Sequence, residues 1–243
     1  MFFFLPMPLG DIILLYILAA IIPAILLLRY IYRHDTIEKE PPHLLWSLIL
    51  RGVAAALLSM VLERIATRIL DRTLSQDDPY YTLVFAFLAV AAVEEGTKLL
   101  LLKRRTWHDR NFSHLFDGVV YSAFVSLGFA AFENINYVFT YGLSVALPRA
   151  LFAIPGHLGF SVFMGVFYGR AKLCEHRQDR TGKILNLALG YLSAVFLHGF
   201  YDACAMSGAK ETTIVFYIFV VVMYLVVHRI VKKTSQQDRP IYE

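Results

Sequence analysis

Seven apolar runs, each long enough to cross a lipid bilayer, divide this 243-residue chain and leave little sequence for anything else. A hydrocarbon core of ~30 Å takes ~20 apolar residues in a helix. Inside it, backbone groups must pair within the segment. The runs fall at about 10–32, 44–69, 80–102, 118–140, 147–170, 184–205 and 212–231. They predict an all-α, polytopic membrane helix bundle, one domain over residues 1–231, followed by a polar cytoplasmic tail, 232–243, expected to be loosely ordered. The second run contains Arg51, Glu63 and Arg64, and a partly interfacial helix is its alternative reading. Charged residues are 17% of the sequence, against ~25% in soluble domains, so a large water-soluble core is excluded.

The connecting loops alternate in charge. Arg29, Arg33 and Lys39 follow the first run, and Lys103, Arg104, Arg105 and Arg110 follow the third. Arg170, Lys172, Arg177, Arg180 and Lys183 lie between the fifth and sixth, and Arg229, Lys232, Lys233 and Arg239 follow the seventh. The intervening loops hold few cations, so the positive-inside rule expects the N-terminus outside and the C-terminus inside. The net charge of +4 is thereby explained without nucleic-acid binding. Residues 1–24 have no basic segment ahead of the apolar run and read as a retained first span rather than a cleaved signal. Cys174 and Cys204 fall on opposite sides of this topology, which disfavours a disulfide. Gly165 and Gly169 form a GxxxG step suited to close helix packing.

The chemistry lies in residues that lipid should exclude: Glu94, Glu95 and Lys98 in the third run, Glu133 in the fourth, His157 in the fifth, and His198 and Asp202 in the sixth. Each charged group at mid-bilayer costs at least ~2.5–3.5 kcal/mol, so such groups must face one another or line a wet cavity. Glu94 and Lys98, and likewise His198 and Asp202, are four residues apart and share a helix face. Imidazoles and carboxylates suit a catalytic zinc, and a carboxylate beside a water suits a general base. Three bland readings compete: a Glu94–Lys98 ion pair, histidines that only bond neighbouring helices, and Glu133–Asn134 as a packing patch. A proton- or ion-coupled transporter using these groups as relays is the alternative function, with Pro155-Gly156 as its candidate helix break. A non-enzymatic membrane scaffold is the third class.

At these residues the chain resembles the PrsW family of intramembrane proteases, relatives of the CAAX prenyl proteases. Glu94-Glu95-Gly96-Thr97-Lys98 is similar to that family's EExxK motif, and Gly128-Phe129-Ala130-Ala131-Phe132-Glu133-Asn134, preceded by Asp117-Gly118, to its GFAxxEN motif. His157 matches the third motif and His198-Gly199-Phe200-Tyr201-Asp202 the HxxxD motif, all in family order. The lysine at 98 and glutamate at 133 depart from the CAAX pattern and favour the PrsW branch. The resemblance implies hydrolysis of a membrane-anchored, single-span protein such as an anti-sigma factor, in a bacterial plasma membrane. On this reading Glu94 or Glu95 activates water. His157 and His198 hold a divalent metal, expected to be zinc, with Glu133 or Asp202 as third ligand or Asp202 orienting His198. A metal-free glutamate mechanism, with the histidines donating to the oxyanion, stays open.

Overall fold

The computed structural model describes residues 8–242 and consists of helices, with one isolated bridge between His114 and Pro240. Helix α1 is Leu9–His34, α2 Pro42–Thr73, α4 Asp117–Tyr141, α6 Arg180–Met206 and α7 Lys210–Gln236. Helix α3, residues 81–106, and α5, Leu143–His176, are continuous but irregular. All but α3 have the length and apolarity of a membrane crossing. In α3 the run is cut by Glu94, Glu95 and Lys98, and it is divided by a π-helical stretch, Phe85–Ala91. Six apolar crossings already make this a multi-pass membrane protein. Residues 1–7 of the expected first span lie outside the described residues.

Helices α2, α3, α6, α5 and α4 pack in that order as a ring, with α1 against α4 and α7 against α5 and α6. Glycines set the crossings of α4, the most buried helix. A Cβ on Gly52 of α2 would lie 2.0 Å from the Val125 carbonyl oxygen, and one on Gly128 2.4 Å from that of Ile49. On the opposite side, a Cβ on Gly118 would lie 2.6 Å from the Gly165 carbonyl oxygen, and one on Gly169 2.3 Å from that of Leu115. Backbone thus touches backbone on two sides of α4, the close approach that small residues permit in lipid. Gly128 belongs to the same motif as Glu133, so the close approach of α2 and α4 lies little more than one helical turn from that carboxylate.

The candidate break of the transporter reading, Pro155-Gly156, is not a break, and the helix runs through it. A π-helical turn, Arg149–Ala153, precedes it, and the Tyr224 hydroxyl of α7 donates to the Leu151 carbonyl, which Pro155 cannot engage. The chain beyond Lys232 is also ordered rather than loose. Helix α7 runs to Gln236, Ile241 N–H donates to the Ser113 carbonyl at 2.7 Å, and the Ile241 side chain is buried.

That basic end of the bundle buries two carboxyls of the α1–α2 connection, Asp35 and Glu40. The Tyr121 hydroxyl donates to Glu40 at 2.7 Å, while the other oxygen of Glu40 and one of Asp35 have no hydrogen-bond partner. Burial pushes Asp35 up to about 6, against the opposing pull of Lys39, and Glu40 from 4.5 up to about 7, helped by the Asp35 and Glu38 charges. A raised carboxyl pKa means that the fold prefers the protonated form. Its contribution is complete below the unfolded value near 4.5 and is lost as pH rises through about 7. At ~1.36 kcal/mol per unit this amounts to roughly 3 kcal/mol for Glu40. The melting midpoint of detergent-solubilised protein is expected to fall between pH 5 and pH 8. Glu40→Gln should flatten that fall, and an equally steep fall in the variant would contradict the assignment.

Candidate active site

Four helices of the ring deliver the intramembrane acids and bases to one place. On α3, the π-helical stretch ends three residues before Glu94. Such bulges frequently accompany functional sites. Phe87 within it packs on Gly199 of α6, where a Cβ would lie 2.6 Å from the ring, bringing α3 and the His198 segment together. The next α-helical turns place Glu94, Glu95 and Lys98 on the interior, all buried. Ser59 and Thr97 hydroxyls bond at 2.7 Å and tie α3 to α2.

Lys98 Nζ donates to Glu94 at 3.1 Å, to Glu95 at 2.8 Å and to His157 Nδ1 at 3.2 Å, and lies 3.9 Å over the centre of the Phe129 ring. With Nδ1 accepting, the other nitrogen of His157 carries the proton and donates to Glu133 at 3.0 Å. His198 Nδ1 donates to Glu95 Oε1 at 2.9 Å. Its Nε2 stands 3.3 Å from Asp202 and 4.0 Å from Glu94. The two imidazoles meet edge to face at 5.3 Å, and Phe160 stacks on His198 at 4.8 Å. The bland reading of Lys98 as a simple partner of Glu94 is thereby too narrow, since the ammonium joins both glutamates and a histidine.

All six residues singled out in the sequence, Glu94, Glu95, Glu133, His157, His198 and Asp202, fall in this one network. Glu94, Glu95, His157 and His198 each offer a ligand atom within 4.8 Å of the others, while Glu133 and Asp202 each sit on one imidazole. Two carboxylates and two imidazoles are a donor set that suits a divalent zinc-like ion. Glu95 Oε2, buried and without a hydrogen-bond partner, is a further acceptor aimed at no protein donor. On donor chemistry and on that oxygen, the residues fit a metal.

Counted from the helix ends at ~1.5 Å per residue, Glu94 and Glu133 would lie at different depths, yet both line the same two adjoining cavities, of about 490 and 470 Å³. Tilted and offset helices break the link between residue count and depth. The first cavity runs along α2 and α4, from Ala56 to Arg68 and from Phe129 to Tyr137. The second runs along α5 and α6 and includes His157, His198, Tyr201 and Asp202. Glu95 lines neither; Glu94 lines both.

Sequence reasoning missed Arg149. Its Nη2 donates to Glu133 at 2.9 Å and its Nε to Asn134 at 2.8 Å, and its guanidinium lies 3.7 Å over the Tyr137 ring. Asn134 in turn donates to the Ala20 carbonyl of α1 at 2.8 Å. The available signal was a single arginine in an otherwise cation-poor loop, two turns before His157.

Comparison with known proteins agrees with this geometry. The family described as "PrsW family intramembrane metalloprotease" matches residues 40–228, which include every residue of the network. Protease PrsW of Oceanobacillus iheyensis is 31% identical over 219 residues, 90% of this chain and 95% of the relative. Protease PrsW of Geobacillus kaustophilus is 32% identical over 225 residues, 91% and 93% of the two chains. That of Clostridioides difficile is 28% identical over 212 residues, 85% and 86%. No solved structure matches the chain. With the family pattern covering most of its length and the four motif segments folded into one buried network, the chain belongs to the PrsW family of intramembrane metalloproteases.

Proposed function

We propose that this protein hydrolyses a peptide bond of a single-span membrane protein, of the anti-sigma type, within the outer half of the bilayer, and that Glu94 is the general base. The observation that carries this reading is the meeting of carboxylates and imidazoles from α3, α4, α5 and α6 beside two adjoining cavities. The charge alternation of the loops supports an orientation with the N-terminus outside and the C-terminus inside.

Glu94 is the base rather than Glu95 because its carboxylate faces both cavities, whereas Glu95 is sealed behind it. Glu94 takes a proton from water as the water oxygen forms its bond to the scissile carbonyl carbon. The same carboxyl then returns the proton to the amide nitrogen as the carbon–nitrogen bond breaks, leaving a carboxylate and an amine. Lys98 holds both glutamates in place. Glu133, itself held by Arg149, orients His157, and Asp202 orients His198. Glu95, His157 and His198 would hold a zinc ion, with Glu94 beside it; bound there, the metal supplies a Lewis acid that stabilises negative charge developing on the carbonyl oxygen.

Reconstitution tests the reaction class. Proteoliposomes carrying the protein and a panel of single-span proteins, run in heavy-oxygen water, are expected to yield two fragments with label in the new carboxyl terminus. Intact panel members, or fragments without label, would refute hydrolysis.

A further inference from the structure

Helix α2 brings to the cavities a carboxylate that the network above does not use. Glu63 is half-buried within a membrane crossing and lines both cavities. Glu94, Glu133, Arg149, His157, His198 and Asp202, the other acids and bases of the second cavity, are all held in ion pairs or side-chain hydrogen bonds. Glu63 has no ion pair or hydrogen bond among the described residues. Arg64 and Arg68 line the first cavity with it, but both are exposed and neither forms an ion pair with Glu63. An unpaired carboxylate at membrane depth is costly and therefore functional by default.

The strip common to both cavities is lined by Glu63, Phe85, Glu94, Glu133 and Tyr137. Glu94 is engaged by Lys98, and Glu133 by Arg149 and His157. That leaves Glu63 as the unpaired carboxyl of a strip that also carries the Phe85 ring and the face of the Tyr137 ring not covered by Arg149. A cation on an apolar stem suits such a wall: the charge meets the carboxylate, and the stem and charge lie against the rings. A backbone beside Glu94 passes along this strip, because it is where the cavities join.

We infer that Glu63 forms a subsite for a basic side chain, lysine or arginine, held at one fixed position beside the scissile bond of the substrate. The inference rests on the protease reading above and makes Glu63 a specificity-determining residue.

The test uses the full chain in proteoliposomes with a set of single-span scaffold proteins. One lysine is walked through the segment around the outer end of their apolar span, and cut sites are mapped by mass spectrometry. The wild-type protein is expected to cut roughly tenfold faster when lysine, rather than glutamine, occupies one position relative to the cut. In Glu63→Gln that ratio should collapse to near one, and Glu63→Lys should prefer a glutamate scaffold at the same position. Coincident position profiles for wild type and Glu63→Gln would overturn the subsite, as would loss of all cleavage in both variants, which would mark Glu63 as structural. A wild-type protein that cuts no scaffold would refute the protease reading and the subsite with it.

Discussion

Glu94→Gln should reduce cleavage by about 10³-fold, within the ~10²–10⁴ that a positioned general base contributes, while leaving the protein folded. The side chain keeps its shape and an acceptor oxygen for Lys98, 3.1 Å away; it loses its charge and the capacity to take a proton, while Lys98 keeps the Glu95 carboxylate as its ionic partner at 2.8 Å. The melting midpoint should therefore stay close to wild type. Glu95→Gln is expected to behave differently. Its carboxylate bonds Lys98 and His198 and has a further buried oxygen without a partner, so an amide there places an N–H₂ group against a donor or into an unpartnered space. That variant should lose thermal stability along with activity. Equal stability losses in the two variants, or substantial activity in Glu94→Gln, would reverse the assignment of roles.

Metal content is the second large effect expected. Purified wild-type protein should carry about one equivalent of a divalent ion, and His198→Ala much less than that, since the histidine supplies one of four converging donors. Asp202→Asn should keep the ion and lose activity, because Asp202 lies 3.3 Å from the His198 ring and is not one of the four converging donors. Outer-shell partners of this kind typically matter by ~10–100-fold. Elemental analysis decides the matter. An active wild-type preparation without stoichiometric metal would leave the histidines as direct oxyanion donors.

Much of this site was legible in the sequence because lipid makes ionisable residues conspicuous. Glu94, Glu95, Glu133, His157, His198 and Asp202 stood out against apolar surroundings, and four-residue spacing placed the pairs on shared faces. The helices were legible for the same reason: the expected ends lie within a few residues of the observed ones, short chiefly where helices continue past the apolar stretch, as in α2, α5 and α7. What could not be read was anything set by helix offset. Arg149 looked like an interfacial charge because nothing local says that it turns inward to Glu133. Glu63 looked like a flaw in a span because its cavity is made by α4, some seventy residues later. The π-helical stretches have no glycine or proline within them to announce their position. The ordered tail depends on pairing with the segment before α4, and polar composition alone argued the other way.

The glycine crossings of α4 also bear on how a membrane-anchored chain can reach Glu94. Carbonyl oxygens of neighbouring helices stand where side chains would otherwise cushion a slide, on the α2 side at Gly128 and on the α5 side at Gly118. A helix seated on bare peptide groups at two heights has no compliant side-chain layer on those faces, and this is the helix that bears Glu133. The walls without such a glycine seat are α2 beyond Ala56 and α3 ahead of Glu94, where the helix has left the regular α-helical ladder.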